Sequence, residues 1–303
     1  MIPINEIIHG DAYDLMPSIE PESIEVIFSD PPYEQSLRDI YANWNHGLDW
    51  NRLAIEFDRV LKPSGQVCLF CDWRTGQTIT TALMPLFRFR FLWIWRKPNG
   101  QPVGKKQPIN EVELIIVYSK KKSKIGDLTF NWKDISTVGS EPYRREFSRN
   151  NQTRKPIKAY VSESSGGRYP KQILDFPTKC NLPENERFDH PCQKSVGLCG
   201  YVLKALSNPG DLILDPFTGS GSIPIACHRL NRRFIAIERE KTFFQMASER
   251  MKIEKSQTNL FEREPIAVMP TDRPNDSFAG LESIKTGLSV SKCQLAKNEV
   301  KNG

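Results

Sequence analysis

The clearest fold signal in this sequence is the stretch "LILDPFTGSGSIPIACHRLNRRFIAIERE", residues 212–240. It begins with an apolar run that ends at Asp215 and continues through a loop that contains Gly219 and Gly221. A helical pattern follows, and then a second apolar run that ends at Glu238. Strand, glycine loop, helix and strand in this order are typical of a Rossmann-like unit, in which parallel strands alternate with helices.

The same alternation of strand and helix patterns occurs earlier in the chain. A one-sided apolar pattern between Asp49 and Leu61, with Asp49 as the N-cap, predicts a helix. Apolar runs closed by turn residues predict strands at residues 6–9, 24–29, 67–71, 89–95 and 112–118. We therefore expect an α/β fold with a mainly parallel, Rossmann-like sheet that has helices on both faces and buries Trp93 and Trp95.

The glycine loop and Glu238 together predict a nucleoside-binding site. In a Rossmann-like unit, glycines let the backbone approach a bound nucleotide, and an acid about 20 residues after the first strand accepts hydrogen bonds from the ribose hydroxyls. Glu238 stands at that position. The loop is neither a complete dinucleotide fingerprint nor a P-loop, because Pro224 occupies the place of the third glycine and no Gly-Lys-Ser/Thr follows.

The positive charge of the chain is concentrated in its middle. The 303 residues carry a net charge of +6, from 42 Lys and Arg against 36 Asp and Glu. Residues 88–194 alone hold 22 Lys and Arg against 11 Asp and Glu. A basic segment between acidic flanks indicates contact with a polyanion, and a solvated basic surface is the alternative. Strand and helix patterns are lost from about residue 119 to 189, which predicts an insertion with long loops.

A second motif, "SDPPY", follows the predicted strand at residues 24–29. It places Asp30, Pro31, Pro32 and Tyr33 at the carboxyl end of a strand, where an α/β sheet faces its ligand. The prolines remove backbone donors and stiffen the turn, Asp30 adds an acceptor, and Tyr33 offers a flat ring. Such a set suits a planar ring that carries an amino group, although "DPPY" alone is also compatible with an ordinary strand-end turn.

Three motifs in this order resemble those of the β class of DNA amino-methyltransferases. "SDPPY" comes first, "HPCQKS" at residues 190–195 comes second, and "DPFTGSG" at residues 215–221 comes last. In that class the catalytic motif precedes the target-recognition segment, and the cofactor motif comes last. The resemblance covers about residues 4–255 and implies a Rossmann-like S-adenosylmethionine-dependent methyltransferase sheet with an inserted target-recognition region.

The resemblance divides the chain into four parts. Residues 1–118 would form the catalytic half of the methyltransferase domain, and residues 119–189 the inserted basic target-recognition region. Residues 190–255 would form the cofactor-binding half, followed by a loosely ordered tail at residues 256–303.

S-adenosyl-L-methionine is the cofactor that the resemblance implies, without a metal. Glu238 would take its ribose hydroxyls, Asp11 would face its adenine end, and Lys194 belongs to a segment that lies near its methionine part. The loop that holds it would be "DPFTGSG", whose "FTGSG" matches the Phe-x-Gly-x-Gly core of the family. The implied cofactor-binding residues are Asp11, Lys194, Asp215, Phe217, Thr218, Gly219, Ser220, Gly221 and Glu238.

The resemblance also implies the reaction. The target nucleotide would leave the duplex stack, Asp30 and the Pro31 carbonyl would hold its amino group, and Tyr33 would stack on its ring. Within the family, Asp at the first motif position mostly accompanies adenine and Ser mostly cytosine. We therefore expect a DNA methyltransferase that acts on the exocyclic amino group of adenine, with the N-4 amino group of cytosine as the alternative.

Two other functions are alternatives to this one. Protein-glutamine and RNA methyltransferases of related fold usually carry Asn in place of Asp30 and have the cofactor motif first, which disfavours them here. A DNA-binding relative without activity stays open, because Cys192 and Ser195 replace the Thr and Pro that the family has in "HPCQKS". The intact Asp30 and Tyr33 argue against such a loss of activity.

Double-stranded DNA is the expected partner. Lys and Arg side chains would neutralise phosphates, while Arg, Asn and Gln side chains would read base edges. The candidate DNA contacts are Lys105, Lys106, Arg144, Arg145, Arg149, Asn151 and Arg168. We expect a cytoplasmic monomer or homodimer without a membrane segment, and a cognate restriction nuclease is a candidate partner.

Overall fold

A computed structural model describes residues 2–33, 47–101, 106, 108–138, 143–147, 160–164 and 167–258. The strands are β1 (Glu6–His9), β2 (Ile24–Ser29), β3 (Leu61–Cys71), β4 (Phe87–Gln101), β5 (Asn110–Lys120), β6 (Thr137–Val138), β7 (Tyr143–Phe147), β8 (Tyr160–Ser164), β9 (Gly167–Arg168), β10 (Ile173–Asp175), β11 (Leu212–Asp215) and β12 (Arg233–Glu238). The helices are α1 (Ala12–Leu15), α2 (Trp50–Val60), α3 (Trp73–Leu83), α4 (Val196–Leu206), α5 (Ser222–Arg229) and α6 (Lys241–Thr258).

Eight of these strands form the central sheet, in the order β1-β12-β11-β2-β3-β5-β4-β10. All neighbouring pairs are parallel except those of β5, which runs antiparallel to both β3 and β4. The middle strands are apolar along their length because both faces of the sheet are covered, as in β11, where every residue is buried. The predicted α/β fold with a mainly parallel, Rossmann-like sheet is confirmed.

Helices cover both faces of this sheet. On one face, Leu203 of α4 and Ile225 of α5 pack in the same core cluster as Trp93 and Trp95 of β4. On the other face, α2 and α3 bury side chains such as Phe57 in a second cluster. Both tryptophans of β4 are 3% exposed, which confirms their prediction as core residues.

The sheet order brings together the carboxyl ends of strands that are far apart in sequence. His9, the last residue of β1, is paired with Glu238, the last residue of β12. Asp11, two residues after the end of β1, therefore lies near Glu238. Next in the sheet, β11 ends at Asp215, and β2 ends immediately before Asp30. Because these strands are parallel, all four carboxylates lie on the same side of the sheet, at the carboxyl ends of its strands.

The predicted insertion at residues 119–189 takes part in the central sheet. Within it, β10 pairs with β4 and forms the edge of the sheet, and Trp95 Nε1 donates a hydrogen bond to the Phe176 carbonyl oxygen at 2.9 Å. The other strands of the insertion form two small antiparallel sheets, β6 with β9 and β7 with β8. The assignment of this range to target recognition stays a prediction.

The carboxyl-terminal helix α6 ends at Thr258, slightly beyond the boundary at residue 255 that the sequence predicts. Most of the predicted tail, residues 259–303, lies outside the described residues. Within the described ranges, no helix combines the length and apolarity that crossing a bilayer requires.

Candidate active site

The loop after β11 depends on two glycines with left-handed backbone. Gly219 has φ +54° and Gly221 has φ +82°, values that side chains with a Cβ adopt only at a cost. A Cβ on Gly219 would lie 3.0 Å from His190 Nε2. The Gly219 N–H donates to Glu238 Oε2 at 2.7 Å, which ties the loop to the end of β12.

Two carboxylates border the cleft at the ends of β1 and β12. Glu238 Oε1 accepts a hydrogen bond from the Glu240 N–H at 2.8 Å, so both carboxylate oxygens accept hydrogen bonds from the backbone. Burial raises the pKa of Glu238. Asp11 accepts from the Tyr13 N–H at 2.8 Å, and its Oδ2 lies 3.7 Å from Arg239 Nη1. Their predicted roles toward adenine and ribose stay predictions.

Asp215 lies below the cleft rather than in its wall. Ser29 Oγ donates to Asp215 Oδ1 at 2.5 Å, which links the ends of β11 and β2, while Asp215 Oδ2 is buried without a hydrogen-bond partner. Burial raises the pKa of Asp215 to about 7. Asp215 therefore stabilises the loop from beneath, since its Oδ1 accepts hydrogen bonds from Ser29 Oγ and from the Phe217 N–H of the turn.

One cleft of about 220 Å³ connects the glycine loop with the "DPPY" motif. Its wall contains all four predicted catalytic residues and all predicted cofactor residues except Asp215 and Gly221. The structure therefore gathers the predicted side chains Asp11, Asp30, Pro31, Pro32, Tyr33, Lys194, Phe217, Thr218, Gly219, Ser220 and Glu238 around one space.

Lys194 belongs to the "DPPY" end of this cleft. Its Nζ lies 2.7 Å from Asp30 Oδ2 and 3.3 Å from Glu113 Oε2, while Ser222 Oγ donates to its backbone carbonyl at 2.7 Å. Burial raises the pKa of Asp30, and the neighbouring Lys194 ammonium opposes that rise. The Lys194 ammonium therefore pairs with Asp30 in this structure, and its predicted role toward the cofactor stays a prediction.

Tyr33 is held between two carboxylates. Its hydroxyl lies 3.2 Å from Asp30 Oδ1 and 3.3 Å from Glu113 Oε2, and it donates to either oxygen. Burial, followed by the charges of Asp30 and Glu113, raises the pKa of Tyr33 well above its ordinary value. The hydroxyl therefore stays protonated at neutral pH and anchors the ring by donating hydrogen bonds.

Three residues at the site were not identified from the sequence. Glu113 and its ion-pair partner Lys97, 2.7 Å apart, lie on β5 and β4 beside Asp30. Arg250 of α6 is buried and donates to the Ser220 carbonyl at 2.5 Å and to Ser222 Oγ at 3.2 Å. The sequence could have indicated Glu113, because it is an acid within the apolar run "VELIIVY" and a charge in a buried strand needs a partner.

The candidate DNA contacts are only partly within the described residues. Lys106 is exposed, Arg144 and Arg145 belong to β7, and Arg168 belongs to β9. Lys105, Arg149 and Asn151 lie outside the described residues. Contact with DNA stays a prediction for all seven.

The aromatic loop after "DPPY" is likewise incompletely described. Trp50 is 3% exposed and packs in the core at the start of α2, whereas Tyr41 and Trp44 lie outside the described residues. In the parts of the chain that the structure covers, no group of three or more His, Cys, Asp or Glu side chains is arranged to hold a metal ion.

His190, the first residue of "HPCQKS", is buried as a neutral imidazole. Its ring packs on Phe243 with centroids 4.4 Å apart, and its Nδ1 accepts a hydrogen bond from the Cys192 N–H at 3.3 Å. Burial, together with the nearby Lys194 and Lys179 charges, lowers the pKa of His190 to about 4. The imidazole therefore stays uncharged in the folded protein near neutral pH.

This depressed pKa predicts a loss of stability in acid. The unfolded chain takes up the His190 proton below its ordinary pKa of 6.5, whereas the folded chain does so only near pH 4. Between pH 7 and pH 4.5 the free energy of unfolding should fall by roughly 2 to 3 kcal/mol more in the wild type than in His190→Asn. Urea unfolding of both proteins at the two pH values measures this difference, and equal losses would contradict the neutral buried imidazole.

Known proteins resemble this chain over most of its length. The family model for DNA methylases matches residues 24–249. DNA adenine methyltransferase YhdJ of Escherichia coli (strain K12) is 30% identical over 258 residues, covering 82% of each chain. Type II methyltransferase M.HpaI of Haemophilus parainfluenzae is 28% identical over 258 residues, covering 81% of this chain and 73% of the relative.

Solved structures agree with these sequence matches. The crystal structure of the M1.HpyAVI–SAM complex is 25% identical, with a TM-score of 0.53, and the match covers 81% of this chain and 98% of that one. The match to the family model includes β2, the "DPPY" motif, the glycine loop and the first half of α6, and the "DPPY" motif and the glycine loop line the cleft. On this evidence, the chain belongs to the DNA methylase family.

Proposed function

We propose that this protein transfers a methyl group from S-adenosylmethionine to the exocyclic amino group of adenine in double-stranded DNA. The observation that carries this proposal is the position of Asp30 and Tyr33 in the same cleft wall as the glycine loop. An acceptor for an amino group and a ring for stacking thus lie beside a loop suited to a nucleoside cofactor.

The cleft residues fit S-adenosylmethionine. Left-handed Gly219 and Gly221 keep the loop free of side chains where a ligand has to approach the backbone, and Phe217 adds an apolar surface. Asp11 and Glu238 place carboxylates beside this loop, which suits hydroxyl and amino donors of a nucleoside. The cofactor supplies a methyl group activated by its positive sulfur, so the protein needs chiefly to position the acceptor nitrogen.

Asp30 and Tyr33 are the residues that would hold the target base. A base within a duplex cannot bring its amino nitrogen into such a cleft, so the nucleotide has to be rotated out of the stack at a cost of a few kcal/mol. Asp30 accepts a hydrogen bond from the amino group and orients its lone pair, while the Tyr33 ring stacks on the base. Asp in this position favours adenine, and the name of the Escherichia coli relative YhdJ supports the same base.

The name of one relative supports a proposal about the partners of the enzyme. M.HpaI is named as a Type II methyltransferase, which supports a cognate restriction nuclease as a partner of this protein. We further propose a cytoplasmic enzyme that works as a monomer or a homodimer.

Methyl transfer to unmethylated DNA tests the proposal. Purified protein is incubated with labelled S-adenosylmethionine and duplex DNA, and the digested nucleosides are separated by mass. The expected product is N6-methyladenine, and sequencing of the methylated positions then gives the recognition sequence. Label in N4-methylcytosine would show that the target base is cytosine and not adenine. DNA binding without any incorporation would overturn the enzyme assignment.

A further inference from the structure

Four charged side chains form a buried cluster at the "DPPY" end of the cleft. Asp30, Glu113, Lys97 and Lys194 have side chains that are 19%, 14%, 17% and 7% exposed. Two carboxylates and two ammonium groups balance each other, and they come from the "DPPY" turn, from β5, from β4 and from the segment before α4. Charges at such depth are costly unless each has a partner, so their arrangement limits how they can move.

In this structure, Asp30 has partners on both oxygens. Lys194 Nζ is 2.7 Å from Oδ2, and the Tyr33 hydroxyl is 3.2 Å from Oδ1. The first distance is that of a tight charge-assisted hydrogen bond, and the second is long for a hydroxyl donor. A base amino group that arrives at Asp30 therefore meets a carboxylate that already holds a cation.

An ammonium in this place would oppose methyl transfer. The acceptor nitrogen gains positive charge as its bond to the methyl carbon forms and the sulfur–methyl bond breaks, which leaves a neutral thioether; the nitrogen then loses a proton to solvent. A second positive charge a few ångströms away in a buried cleft raises the energy of the state before that proton is lost. Lys194 also draws electron density from the carboxylate that is to hold the amino group. The reaction is favoured when Lys194 shares its charge with another group.

Glu113 is placed to form an ion pair with the Lys194 ammonium. Its Oε2 lies 3.3 Å from Lys194 Nζ. An optimal charge-assisted hydrogen bond is about 2.8 Å long, so a small movement of Lys194 toward Glu113 would strengthen this contact. Its Oε1 is held by Lys97 Nζ at 2.7 Å, and both residues belong to adjacent strands of the sheet. Glu113 thus stays in place while the long Lys194 side chain moves toward it.

We infer that Glu113 is a positioning residue that receives the Lys194 ammonium from Asp30 when the amino group of the target base arrives. Lys194 pairs with the acceptor Asp30 before the base arrives, and Glu113, anchored by Lys97, retains the Lys194 ammonium during methyl transfer. The inference rests on the proposed function, because it assigns Glu113 a part in that same reaction. Glu113 itself lines the cleft, and in this arrangement it acts on the reaction through Lys194.

The substitution Glu113→Gln tests this inference, because it keeps the size of the side chain and removes its charge. We expect kcat to fall about 100-fold, while KM for DNA and the affinity for S-adenosylmethionine stay close to those of the wild type. Glu113→Asp, which retains the charge, should recover part of the loss. The matched control is Glu111→Gln on the same strand, where the side chain is exposed and activity should be unchanged.

A second substitution separates this role from a merely structural one. If Glu113 acts by receiving Lys194, then Glu113→Gln should lower kcat much less in a Lys194→Met background than in the wild type, which a double-mutant cycle measures. Equal losses in both backgrounds, or wild-type kcat in Glu113→Gln, would overturn the inference. Should Glu113→Gln melt below the assay temperature, the same cycle is run with Glu113→Ala, which also removes the charge.

The outcome is distinct from a failure of the proposed function. If the wild-type protein methylates no DNA, the proposed function fails and no cycle can be measured. If the wild type is active and the cycle shows no coupling, only the role of Glu113 fails.

Discussion

Asp30→Ala is expected to lower kcat for methyl transfer about 1,000-fold or more, as for the loss of a main electrostatic contact to the reacting group. The variant removes the acceptor for the amino group and leaves the Lys194 ammonium beside the acceptor nitrogen, with Glu113 as its remaining carboxylate at 3.3 Å. Labelled-methyl incorporation into duplex DNA measures the loss. Cofactor affinity, measured by calorimetry, should be nearly unchanged, because the glycine loop is intact.

A matched control for this variant is Asp58→Ala. Asp58 is a partly exposed residue of α2 whose carboxylate lies 3.6 Å from Lys120, remote from the cleft residues. It removes the same kind of side chain and should retain wild-type kcat. Activity that survived in Asp30→Ala would show that the "DPPY" motif is not the acceptor for the amino group.

Gly219→Val is expected to weaken S-adenosylmethionine binding about 100-fold, which corresponds to roughly 3 kcal/mol. A β-branched residue at φ +54° is strained by about 1 to 2 kcal/mol, and its Cβ would lie 3.0 Å from His190 Nε2, which adds an overpacking cost of about the same size. Either the loop or His190 has to move, and the Gly219 N–H then leaves Glu238. Equilibrium dialysis with labelled cofactor measures the change.

Gly210→Val separates the backbone strain from the effect on the cleft. Gly210 also has a left-handed φ of +88°, but a Cβ there meets nothing within 4 Å, and the residue lies in the turn before β11. This variant should lose stability and keep its cofactor affinity. Equal losses of affinity in both variants would contradict a direct role of Gly219 in the binding loop.

Much of the fold and part of the site could be read from local sequence patterns. The stretch at residues 212–240 predicted β11, the glycine loop, α5 and β12, because apolar runs, glycines and helix periodicity are properties of neighbouring residues. The same reasoning located "DPPY" at the end of β2. The order of the motifs predicted the family, since each motif is short and the combination is specific.

The partners of the site residues depended on the tertiary structure. Asp30 meets Lys194, 164 positions away, and Tyr33 meets Glu113, 80 positions away, only because the sheet order places β5 near β2 and brings the segment before α4 across the cleft. Likewise, β10 joins the central sheet from within the predicted insertion. Contacts between distant residues depend on strand order and register, which a local pattern does not encode. The sequence therefore predicted Asp30 as the acceptor and the glycine loop as the cofactor site, whereas packing of the sheet determined which charges surround Asp30.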